Sequence, residues 1–79
     1  MNEEDAIRQL AKSVQVIIKI WLKNDMPDGT RKVLEELGAE ARSIYVKPFR
    51  YKLSPVAEWA GKLLSSGGVW FGGKKNEEN

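Results

Sequence analysis

With 79 residues, 42% of them hydrophobic and 30% charged, and a formal net charge of +2, the chain has room for one small domain that hides about 60% of its unfolded surface. It contains no cysteine and no histidine, which excludes disulfides, the usual ligands of zinc, iron and copper, and any Ser-His or Cys-His nucleophile pair. Catalysis by carboxylates alone needs two acids across a cleft, whereas the acids here fall in short clusters such as Glu3-Glu4-Asp5 and Glu35-Glu36, so no enzyme, metal or cofactor is expected.

Asn2 suits the cap of a first helix, and Glu3, Glu4 and Asp5 in its first turn favour the positive end of the helix dipole. The apolar set Ile7, Leu10, Ala11, Val14, Ile17, Ile18 and Trp21 recurs at steps of three and four, which predicts one buried face on a long helix reaching about Asn24. Arg8, Lys12, Gln15, Lys19 and Lys23 wind onto the opposite side as a basic back. Val16 and Ile20 fall beside that back, so the apolar surface is wider than one packing groove needs.

Met26-Pro27-Asp28-Gly29-Thr30 breaks the helix and offers Asp28 or Thr30 as the next cap. Val33, Leu34, Leu37, Ala41 and Ile44 keep helical spacing through Gly38, which predicts a single second helix that ends near Tyr45 or Val46, ahead of Pro48. A helix-turn-helix around Gly38 is disfavoured, because Pro48 leaves about two turns to lie in a groove. Phe49, Arg50, Tyr51, Lys52 and Leu53 alternate apolar and basic, the period of an extended segment at 49–53, either strand or loop. Ser54-Pro55 has the form of a helix start, with serine as cap and proline in the first turn. Val56, Trp59, Ala60, Leu63 and Leu64 give the third helix its apolar face, and Gly67-Gly68 closes it.

The expected fold class is therefore all-α, a small three-helix domain over 1–66 with a long first helix, followed by a glycine-hinged tail over 67–79. Helix-spaced pairs Glu4 and Arg8, Arg31 and Glu35, Lys32 and Glu36, and Glu58 and Lys62 are placed for surface ion pairs. The opening Met1-Asn2-Glu3-Glu4-Asp5 lacks the basic start of a secretory signal. The apolar stretch Val14 to Leu22 is broken by Gln15 and Lys19 and falls short of the roughly 20 residues that cross a bilayer. Both point to the cytoplasm.

Two surfaces are candidates for function. Val16 and Ile20, together with the plug Val69-Trp70-Phe71 between glycine pairs, suit docking on another protein chain, a second copy being the simplest partner. The expectation is an accessory, adaptor or inhibitory protein that self-associates. Arg42, Lys47, Arg50 and Lys52, interleaved with Tyr45, Phe49 and Tyr51 and free of acids, suit nucleic acid as the alternative. A plainer account of that segment has its aromatics in the core and its cations extended into water. A second alternative rests the basic back of the first helix on an anionic membrane surface.

Overall fold

The computed structural model describes residues 2–66; the tail 67–79, with Gly67, Gly68, Val69, Trp70 and Phe71, lies outside them. Three helices follow one another: α1 (Glu3–Trp21), α2 (Asp28–Val46) and α3 (Leu53–Ser65), with a short 3-10 turn, Pro48–Arg50, between the second and third. The fold is all-α, with a long first helix as the periodicity requires, and α2 passes through Gly38 without a break. No strand occurs among the described residues.

Helix α1 starts as its sequence dictates: the Asn2 side-chain oxygen accepts the Asp5 N–H at 2.8 Å, behind a first turn of three acids. It ends at Trp21, three residues before the expected Asn24. The chain tightens there, with Lys23 N–H donating to the Ile20 carbonyl and Asn24 N–H to that of Trp21. Such i to i−3 closure leaves carbonyls exposed at the helix end. Arg31 of α2 meets them, its guanidinium donating to the carbonyls of Leu22 at 3.0 Å and Asn24 at 3.1 Å.

This use of Arg31 removes it from the expected pair with Glu35. Among the described residues the one ion pair is Arg8 with Asp5, at 3.3 Å, one residue off the expected Glu4. The pairs Lys32 with Glu36 and Glu58 with Lys62 do not form within 4 Å. Exposed pairs are worth only about 0–1 kcal/mol and must hold two long side chains still, so the helices do not depend on them.

Two expected caps are also replaced. Helix α2 begins at Asp28 behind Pro27, with no side-chain cap from Asp28 or Thr30. Helix α3 begins at Leu53, so Ser54 lies inside its first turn rather than before it. The Leu53 N–H donates instead to a carboxylate oxygen of Glu3 at 2.9 Å, an acceptor from the far end of the described chain doing what the serine was expected to do. The extended pattern at 49–53 survives only as the backbone of Tyr51 and Lys52, because Pro48 sets a 3-10 turn through Arg50.

The contacts fix the register. Gly38 lies against Ile18, and Lys12 lies over Tyr45, so α2 runs antiparallel to α1; the Glu3–Leu53 bond then sets α3 off parallel to α1. Helix α1 packs along both others, whose backbones scarcely approach each other. At the end near the α1–α2 turn the core joins Val14 and Ile18, Leu34 and Ala41, and Ala60 and Leu63. At the other end it joins Ile7 and Ala11, Ile44 and Val56. Leu10 and Trp59 pack against both layers, and Trp21 packs on the first, so both tryptophans serve the core. Two residues assigned to apolar faces by spacing, Val33 and Leu64, remain 40% and 42% exposed.

The Glu3–Leu53 bond yields the first testable consequence. Glu3→Ala should lower stability by about 1 kcal/mol for the lost cap in addition to the dipole contribution of about 0.3–1 kcal/mol, whereas Glu4→Ala, which shares the first turn of α1 without a bond to α3, should lose only the latter. Urea denaturation of the two variants measures the difference, and equal losses would show that the interhelical cap contributes nothing.

Candidate functional site

The surface that carries most of the candidate residues forms where α2 ends. Pro48 is buried and pins the 3-10 turn against the helices, while Lys47, Phe49 and Arg50 beside it are exposed. Arg42, Lys47 and Arg50 surround a shallow depression of about 350 Å³, completed by Ser43, Val46 and Tyr51. No acid lines it. None of these three cations makes a side-chain hydrogen bond or ion pair among the described residues, unlike Arg8 and Arg31, the other two arginines of the chain.

The aromatic residues of the segment divide. Tyr51 packs against the core layer of Ile7 and Ile44, as the plainer account of the segment has it. Phe49 does not: at 65% it is the most exposed large hydrophobic side chain described. Tyr45, 39% exposed, turns the other way, toward α1. Its ring lies under the Lys12 ammonium, 5.8 Å from nitrogen to centroid, in a depression shared with Asp5, Arg8, Gln9 and Ser13. That distance is within reach of a cation–π attraction.

Lys52 belongs to a different setting. It lines a small depression with Phe49, Arg50 and Tyr51, and also with Glu3 and Glu4. Its charge is thus faced by acids that the sequence places about fifty residues away. Conversely, Lys12 was not among the residues singled out for this surface, yet the fold brings it to Tyr45. No local signal points to it: the two residues are not equidistant from the 22–27 turn, and their pairing follows from how α2 packs along α1.

Val16 and Ile20 stand apart from this. They lie one turn apart on the outward side of α1, 43% and 51% exposed, and neither lines the depressions of the cationic segment. Val69, Trp70 and Phe71, assigned to the same docking surface by sequence, lie outside the described residues.

Among the described residues the buried side chains include no polar or charged group, and no three acids gather where a metal ion could sit. No helix among them is long and apolar enough to cross a membrane. Comparison with protein-family models, with curated proteins and with solved structures finds no match to this chain.

Proposed function

We propose that the chain is a small, non-catalytic cytoplasmic protein that works by binding another protein chain, as an accessory, adaptor or inhibitory subunit, with a second copy of itself as the simplest partner. The observation that carries this reading is the exposure of Val16 and Ile20 on a helix whose inner face is already filled. Ile7, Ala11, Val14 and Ile18 are all at most 1% exposed, so the outer pair adds nothing to the chain's own core. A docked surface would hide it and add stability that a domain this small lacks.

The magnitude limits the form of the contact. A stable interface buries roughly 800 Å² on each partner, and two aliphatic side chains between Lys12, Lys19 and Lys23 fall well short. The reading therefore requires Val69, Trp70 and Phe71 to join them, as aromatic residues commonly dominate interfaces.

Sedimentation equilibrium on the full chain tests it. The expected result is a concentration-dependent dimer that Val16→Glu with Ile20→Glu abolishes, while the helical circular dichroism is retained because both positions face solvent. A chain that stays monomeric to about 1 mM, where a contact contributes only about 4 kcal/mol, would overturn self-association.

A further inference from the structure

The fold brings one cation of the basic back of α1, Lys12, against Tyr45 in the cationic segment that follows Ala41. Tyr45 is the junction. Its ring carries Lys12 on the α1 side, in a depression whose one acid, Asp5, is paired with Arg8, while its own helix carries Arg42 and leads to Lys47 and Arg50 around a second depression that no acid lines. We infer that this composite face binds single-stranded nucleic acid, with Lys12, Arg42, Lys47 and Arg50 holding phosphates and Phe49 stacking on a base. The inference does not rest on the self-association reading: Lys12 borders that surface, but neither Val16 nor Ile20 takes part in it.

Three observations carry it. The first is availability of charge: Arg8 is held by Asp5 and Arg31 by backbone carbonyls, while Arg42, Lys47 and Arg50 have no such partner among the described residues. Phosphate contacts are the main source of nucleic-acid affinity, and these cations reach solvent from one rim. The second is Phe49, 65% exposed beside Arg50. An aromatic face next to phosphate-binding cations is the arrangement that holds unpaired bases, whatever their sequence.

The third concerns shape and selects a single strand over a duplex. If α2 lay along a groove, its exposed Glu35, Glu36 and Glu40 would be driven against the phosphate backbone. The cationic face is confined to the last turns of α2, the 3-10 turn and the neighbouring part of α1, which fits a few nucleotides of flexible strand. Lys52 is left out of the set because it is a cation that lines only the depression holding Glu3 and Glu4; Arg50 borders both that depression and the acid-free one, and the uncharged Phe49 lines the former.

The test is fluorescence anisotropy of labelled oligothymidylate and oligouridylate titrated with the full chain across a salt series. Four phosphate contacts on a single strand predict a slope of log affinity against log salt of about −2.8. Lys12→Glu and Arg50→Glu should each weaken binding by about tenfold or more, and Phe49→Ala by about tenfold through lost stacking. Lys62→Glu, the same change of charge on an exposed position of α3, should leave binding within about twofold. Circular dichroism confirms that each variant is folded. The proposal is overturned by absence of binding at low salt, by Lys62→Glu matching Lys12→Glu, or by a Phe49→Ala chain that binds as well as the parent. Tighter binding to duplex DNA, polyglutamate or anionic phosphatidylserine vesicles would overturn it equally.

Discussion

Leu34→Ala is expected to remove most of the folding stability of the chain. Leu34 is 0% exposed and sits in the larger of the two core layers, each of which takes residues from all three helices, with Val14 and Ile18 from α1, Ala41 from α2 and Ala60 and Leu63 from α3. Truncating a buried leucine loses the transfer energy of the deleted carbons and leaves a cavity, together about 2–5 kcal/mol. A core of this size rarely supplies more than about 3–5 kcal/mol in total, so the loss is of the same order as the whole stability. Urea denaturation followed by tryptophan fluorescence is a direct measure, since Trp21 and Trp59 both pack on this layer. Leu64→Ala is the comparison: the same atoms are removed from a side chain 42% exposed, and the loss should stay below about 1.5 kcal/mol. Similar midpoints for the two variants would mean that the core is not layered as described.

That contrast also marks how far local pattern leads to the fold. Spacing at three and four residues located the three helices and the inward faces of Ile7, Ala11, Val14, Ile18, Leu34, Ala41, Ile44, Val56 and Ala60, because each of those faces is a property of one helix. It could not separate Leu63 from Leu64 or Leu34 from Val33, since neighbouring positions on an apolar arc are told apart only by where the other helices lie. The caps failed for a related reason. Ser54 has the right chemistry at the right place, but Glu3 arrives from the start of the chain and takes the Leu53 N–H. Arg31 has a suitable acid one turn away, yet carbonyls at the end of α1 satisfy more of its donors.

The candidate surfaces were legible to different degrees. That Val16 and Ile20 fall off the inner face follows from the helical wheel. The alternation at 49–53 misled, because it ignores Pro48, whose fixed φ and buried ring start a 3-10 turn and hold Phe49 outward. The joining of Lys12 to Tyr45 is tertiary information, absent from any local window of sequence.

Replacing Gly38 and Gly61 together by alanine is expected to raise the melting temperature by on the order of 10 °C. A glycine inside a helix costs about 0.5–1 kcal/mol relative to alanine, because it gives up more backbone freedom on folding. That cost is justified where the backbone needs a positive φ or a close approach that a methyl group would obstruct. Neither holds here: no described glycine has positive φ, a Cβ on Gly61 would meet nothing within 4 Å, and one on Gly38 would lie 3.5 Å from Ile18 Cγ2, an ordinary van der Waals contact. The two sites are on different helices, so their effects should add, giving about 1–2 kcal/mol in total, at about 4–8 °C per kcal/mol. Thermal melts of the single variants decide between two origins for Gly38. If Gly38→Ala lowers the melting temperature while Gly61→Ala raises it, the missing methyl sets the spacing of α1 and α2 and Ile18 cannot yield. If both raise it, the glycine at the centre of the hairpin contributes nothing to the fit of the side chains that hold α1 and α2 together.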